Sequence, residues 1–146
     1  MAARQSVLFL CTGNSARSQM AEAFLRHYAG EYFDVHSAGL EPKGINPFTI
    51  QVMNEVDIDI RGQRSKATKE YMGRMFFRYV ITVCSHADQN CPQALWVQSG
   101  VKLHWPFDDP AAVEGSDEEK LAAFRRVRDE IETRIRQWVA ELNISS

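Results

Sequence analysis

The chain has 146 residues, 45% apolar and 25% charged, with a formal net charge of −2, and that length predicts a single domain over residues 1–146 with one buried core. The near-neutral balance offers no electrostatic footprint for nucleic acid or a membrane surface, and no apolar run reaches the roughly 18 residues of a membrane span. Residues 1–5 lack the apolar core of a signal peptide, so a cytoplasmic protein is expected, and a monomer.

Val7-Leu8-Phe9-Leu10 is a short apolar run without helical period and reads as a strand buried on both faces. From Ser18 the pattern turns helical, with Met20, Ala21, Phe24, Leu25 and Tyr28 on one stripe and Gly30 as the stop. Residues 33–37 predict a second strand ending at Ala38-Gly39. Pro42, Gly44 and Pro47 then mark a loop, and residues 48–55 a helix. Residues 57–69 are polar and predict irregular chain, and residues 71–78, which mix aromatic and basic side chains, predict a weak helix. Tyr79-Val80-Ile81-Thr82-Val83 is a third strand, β-branched through its centre. A fourth fits residues 101–105, before Pro106 and the turn Asp108-Asp109-Pro110. Ser116 and Glu119 have capping-box spacing ahead of Leu121, Phe124, Val127, Ile131, Ile135, Trp138 and Leu142, which predicts an amphipathic helix of about 25 residues. Alternating strands and helices predict an α/β domain: a four-stranded parallel sheet flanked by helices on both faces. Ligands of such sheets bind at the carboxyl ends of strands. Cys11, Ser37, Cys84 and Asp109 all fall there and are expected to converge.

The first strand runs into Cys11-Thr12-Gly13-Asn14-Ser15-Ala16-Arg17-Ser18 and then a helix. A helix N-terminus directs N–H groups and a positive dipole end at such a loop, which suits a tetrahedral oxyanion. A thiol must ionise to attack, and Arg17 adds a fixed charge and a two-pronged donor. Ser18 is placed to donate to the sulfur and Asn14 to brace the loop. Asp109 sits where a general acid would meet a leaving oxygen. Asp108 competes for that role, and both also suit a plain turn.

Three cysteines, Cys11, Cys84 and Cys91, are too few and too odd in number for a secreted disulfide framework. Three readings of Cys84 and Cys91 stay open: buried structural residues, metal ligands recruiting His86, or a redox pair. The last needs movement. In a helix their separation spans roughly 9 Å, beyond the ~7 Å that a disulfide permits between Cα atoms. His27 is expected on a helix surface, and His36 and His104 as structural residues at strand ends.

The loop, continued through Gln19-Met20-Ala21-Glu22, resembles the active-site loop of the low-molecular-weight protein tyrosine phosphatase fold, and within it the thioredoxin-coupled arsenate reductases. His36-Ser37-Ala38-Gly39, Val83-Cys84-Ser85, Asn90-Cys91-Pro92 and His104-Trp105-Pro106-Phe107-Asp108-Asp109-Pro110 carry the likeness, which runs from about residue 5 to 140. The resemblance implies Cys11 as nucleophile, residues Thr12 to Ser18 as the substrate loop, Asp109 as acid, and Cys84 and Cys91 as successive thiols of a relay. Arsenate would become arsenite, with electrons from reduced thioredoxin and no metal or organic cofactor. The alternative is a phosphatase acting on phosphotyrosine or aryl phosphates through a cysteinyl-phosphate, using Cys11, Arg17 and Asp109 alone. A third possibility is an oxyanion binder with no turnover. Two departures stand out. Ala16 replaces a frequent further cysteine. Lys66 falls where potassium-binding members supply an acidic ligand beside the positions of Asn14, Glu22 and Ser37, so no potassium requirement is expected.

Overall fold

The computed structural model describes residues 4–72, 75–85, 87 and 99–142. Four parallel strands, β1 (Gln5–Cys11), β2 (Phe33–Gly39), β3 (Phe77–Thr82) and β4 (Ser99–His104), lie in the order β2-β1-β3-β4. The chain thus reaches β2 on one side of β1 and crosses to β3 on the other. The carboxyl ends of β1 and β3 therefore form the switch point at which open α/β sheets bind ligands.

Val7 to Cys11 are all buried, as the unbroken apolar run requires of a central strand. β4 is an edge and shows it: Val101 and Leu103 are half-buried, while Lys102 and His104 are exposed. Three helices complete the described fold: α1 (Arg17–Ala29), α2 (Pro47–Asn54) and α3 (Asp117–Glu141). The predicted capping box starts α3, with Ser116 Oγ accepting the Glu119 N–H and Glu119 accepting the Ser116 N–H. Trp138 of α3 stacks on Phe33 at 5.4 Å and meets Tyr79 and Trp105 edge-on at 4.9 and 5.4 Å. Burying each such side chain contributes about 1.5–3 kcal/mol.

The described residues of the stretch 71–78 do not form the weak helix predicted there. Tyr71 lies in a turn, and the chain is already extended by Phe77. Phe77 pairs with Ser99 and buries its ring completely, in edge contact with Tyr71 and His36. An extended backbone serves that packing, and aromatic residues favour it. Arg128 of α3 donates to Val52 O at 2.9 Å and to Glu55 at 2.8 Å, clamping α2. At its other end α2 braces the loop after β1: Asn46 N and Thr49 Oγ1 both donate to Ser15 O at 3.0 Å. Among the described residues no helix is long and apolar enough to cross a membrane.

Candidate active site

Between β1 and α1 every carbonyl from Cys11 to Ala16 is bonded away from the loop's interior. Leu40, Glu41, Lys43 and Asn46 donate backbone N–H groups to the carbonyls of Cys11, Thr12, Gly13 and Ser15. Gln19 Nε2 donates to Asn14 O, and Met20 N to Ala16 O. In a trans peptide the carbonyl and the next N–H point opposite ways. Turning these carbonyls outward turns the N–H groups of residues 12–17 inward, and a row of inward amides is a cradle for an anion.

Asn14 makes this curvature possible. It sits in the left-handed region at φ 47°, where Asn is tolerated better than most residues. It is wholly buried, donating to Ser18 Oγ at 2.8 Å and Ser37 Oγ at 3.0 Å. Its Oδ1 accepts the Lys66 backbone N–H at 2.7 Å and Gln19 Nε2 at 2.9 Å. Gly39 passes so close behind that a Cβ there would stand 2.7 Å from both Asn14 N and Thr12 O.

The loop walls a cavity of about 530 Å³. Cys11, Thr12, Gly13, Ser15, Ala16, Arg17, Cys84 and Asp109 all line it, as does Asp108. The sheet explains the meeting. Leu10 pairs with Thr82 and accepts the Val83 N–H, so Cys84 emerges beside Cys11. Trp105 and Phe107 donate to Thr82 O and Val83 O and carry Asp109 to the same rim. Two predicted loop residues lie elsewhere: Asn14 and Ser18 are buried behind the cavity. The structure gives the Ser18 hydroxyl a bond from Asn14, where the sequence pointed it at sulfur. Ser37, too, lies behind the loop, donating to Glu22. Cys91 and His86 fall outside the described residues.

Cys11 and Cys84 are buried free thiols on the wall of the same cavity, near enough for each to shift the other's acidity. The Cys11 thiol, together with Thr12 Oγ1 at 3.5 Å, the Ala87 N–H at 3.4 Å and the Arg17 charge, draws Cys84 down to about 5 against burial. Cys11 moves up, because Cys84 accepts its proton and because it is buried, with Arg17 opposing. The two sulfurs thus hold one proton between them. Arg17 donates to Phe107 O at 3.1 Å and stands 3.8 Å from Asp109 Oδ2. Asp109 Oδ1 accepts the Ala111 N–H at 2.9 Å, so one carboxylate oxygen builds the turn and the other is left toward Arg17.

Behind the loop, Lys66 Nζ lies 3.4 Å from Glu22 Oε1 and donates to Arg64 O at 3.0 Å. Glu22 also receives Arg26 at 2.7 Å. The ammonium therefore stands between the Glu22 carboxylate and the Arg64 carbonyl, and Glu22 itself accepts the Ser37 hydroxyl. The sequence reading missed Lys43, Ser85, Phe107 and Ala111 on the cavity wall. His36 bonds Asp34 and Tyr71, and His104 bonds Thr82, so both are structural as expected.

Comparison with known proteins bears on this site. The profile of the low molecular weight phosphotyrosine protein phosphatase family matches residues 6–145. An arsenate reductase of Halalkalibacterium halodurans is 47% identical over 135 residues, 92% of this chain and 95% of the relative. Among solved structures, an arsenate reductase in its oxidized state superposes with a TM-score of 0.79 at 31% identity, over 94% of this chain and 98% of that one. The thioredoxin-dependent arsenate reductase of Corynebacterium glutamicum gives a TM-score of 0.70 at 30% identity, over 99% of this chain and 65% of that one.

Proposed function

The chain belongs to the low molecular weight phosphotyrosine protein phosphatase family, and from that premise we propose that it is an arsenate reductase that draws its electrons from thioredoxin. One observation carries the choice over phosphate-ester hydrolysis: a second cysteine, Cys84, stands with the nucleophile on the wall of the oxyanion cavity. A phosphatase needs Cys11, Arg17 and Asp109 and has no use for that sulfur. The described cavity wall also offers one aromatic ring, Phe107, to grip an aryl group.

Arsenate enters the cradle of inward N–H groups, with Arg17 on its oxygens. A proton shift from Cys11 to Cys84 makes Cys11 the thiolate, at no change in net charge. Cys11 attacks arsenic, and an oxygen protonated by Asp109 leaves as water. Cys84 passes the proton it took to the Asp109 carboxylate left when water departs, and the Cys84 thiolate attacks Cys11 Sγ. The sulfur–arsenic bond breaks with its electron pair going to arsenic, so arsenic(V) becomes arsenic(III) and a Cys11–Cys84 disulfide forms. Cys91 then attacks Cys84 and releases Cys11, and the thioredoxin dithiol reduces the Cys84–Cys91 bond. All three cysteines act once, and no metal or organic cofactor takes part. Lys66 supplies the positive charge behind the loop, so potassium is not required.

Cys84→Ser tests the assignment. It is expected to abolish multiple-turnover arsenate reduction with thioredoxin while sparing any hydrolysis of p-nitrophenyl phosphate. A wild type that hydrolyses the ester rapidly and forms no arsenite overturns the reductase and leaves the phosphatase.

A further inference from the structure

The cavity wall carries a cation that the chemistry above leaves unused. The backbone N–H of Lys43 donates to Gly13 O at 3.0 Å, and its stem lies along the loop. A Cβ placed on Gly13 would stand 3.5 Å from Lys43 Cδ and 3.7 Å from Cγ. The side chain lines the oxyanion cavity together with Arg17. The other two cations near the loop are committed: Arg17 to Phe107 O and Asp109, Lys66 to Glu22 and Arg64 O. Lys43 is exposed, and its ammonium pairs with no carboxylate among the described residues.

The charge balance of the cavity gives that ammonium a task. Asp108, Asp109 and the thiolate shared by Cys11 and Cys84 all face the space an anion must enter. Arg126 answers Asp108 at 3.4 Å, which leaves Arg17 against Asp109 and the thiolate, a net negative set that disfavours a doubly charged ligand most. We propose that Lys43 is a substrate-capture residue, a second cation that selects the doubly charged form of a tetrahedral oxyanion over the singly charged form. It touches the substrate's charge and takes no part in bond making. This rests on the oxyanion site described above and is independent of whether arsenic is then reduced.

Inorganic phosphate serves as the probe, its binding read by titration calorimetry. Lys43→Met keeps the stem over Gly13 and removes the charge, whereas Lys43→Arg keeps the charge. A unit charge a few ångströms from a dianion in water-like surroundings is worth about 5- to 10-fold in affinity at low salt. Lys43→Met is therefore expected to weaken phosphate binding by about that factor, with the loss shrinking in added salt and in mildly acidic buffer, where phosphate is singly charged. Lys43→Arg is expected to bind as the wild type does. In arsenate reduction the same factor is expected in KM, with kcat held. Unchanged binding in Lys43→Met, an equal loss in both variants, or a loss as large in acid as in alkali overturns the proposal. If the wild type binds phosphate but does not reduce arsenate, the reductase assignment fails while the phosphate comparison still decides Lys43. A wild type that binds no phosphate overturns both.

Discussion

Lys66 holds Asn14 by its backbone while its side chain answers a buried carboxylate behind the same loop. The Lys66 N–H donates to Asn14 Oδ1 at 2.7 Å, and its Nζ lies 3.4 Å from Glu22 Oε1. Glu22 in turn accepts the Ser37 hydroxyl, and Ser37 accepts from Asn14. The left-handed turn of the oxyanion loop is thus closed into a ring of bonds through one lysine. Removing one member of such a buried network leaves the others unsatisfied, at about 1–3 kcal/mol.

That ring predicts the response to monovalent cations. Wild-type turnover and Tm are expected to be the same in potassium and sodium chloride of equal strength. Lys66→Asp sets a second carboxylate against Glu22, so its Tm is expected to fall by several degrees in sodium and to recover in part in potassium. Thermal melts and arsenate turnover in the two salts check both halves. A several-fold stimulation of the wild type by potassium refutes the assignment of Lys66.

Gly39 predicts how little movement the loop tolerates. A methyl there meets Asn14 N and Thr12 O at 2.7 Å, and both are backbone atoms that cannot swing aside. Gly39→Ala is expected to displace the inward N–H groups and cut kcat/KM for arsenate by about 100-fold, the usual cost of misplacing reacting groups by an ångström or so. Gly62→Ala is the control, since a Cβ there meets nothing within 4 Å. Its kinetics are expected to match the wild type. Equal kinetics in the two variants would remove Gly39 from the loop's design.

These positions divide what the chain revealed from what it hid. The loop was legible because an apolar run, a cysteine, a glycine and an arginine follow one another, each with its own physical reason. The last helix was legible through Ser116, Glu119 and the apolar period after them. The outer shell at Leu40, Glu41, Lys43 and Asn46 was not, because those residues act through backbone N–H groups that any side chain would carry. Nothing in the local sequence marks Lys43, which the fold lays beside Gly13. Residues 71–78 misled for a related reason. Aromatic and basic residues suit a helix face as well as a strand, and the pairing of Phe77 with Ser99 settled the matter from a distance. Ser18 and Ser37 were placed correctly along the chain and wrongly in depth, one layer behind the anion.

The paired sulfurs predict a pH dependence with a definite sign. Cys84 lies at about 5, drawn there first by the Cys11 thiol, and Cys11 is raised first by Cys84. The thiolate present at neutral pH is therefore on Cys84, and wild-type alkylation by iodoacetamide is expected there before Cys11. Cys84→Ser replaces that acceptor by a neutral hydroxyl and removes the largest cause raising Cys11. Its thiol then ionises at lower pH, assisted by Arg17, and the pH profile for alkylating Cys11 is expected to move to lower pH. Mass spectrometry of the modified peptides measures both. A Cys11 profile unmoved or shifted upward in Cys84→Ser would mean the sulfurs do not share a proton.

Asp109 divides its two carboxylate oxygens between fold and chemistry, and this allows the roles to be separated. Oδ1 accepts the Ala111 N–H at 2.9 Å and starts the short 3₁₀ turn Pro110–Ala112, whereas Oδ2 stands 3.8 Å from Arg17 on the cavity wall. Asp109→Asn retains an oxygen for the turn but has no acidic proton to give. Asp109→Ala loses both. If Asp109 protonates the departing oxygen, both variants are expected to lose about 10²- to 10⁴-fold in kcat for arsenate, the range for a positioned general acid. The turn is a minor part of stability, so the Tm of Asp109→Asn is expected to stay near that of the wild type, with Asp109→Ala somewhat lower. Asp108 provides the contrast. It is mostly exposed and pairs with Arg126 at 3.4 Å, so Asp108→Asn is expected to cost far less in kcat than Asp109→Asn. Equal losses at the two positions would mean that the turn's charge, and not a proton from Asp109, assists the leaving oxygen. A normal kcat in Asp109→Asn would mean that another group supplies that proton.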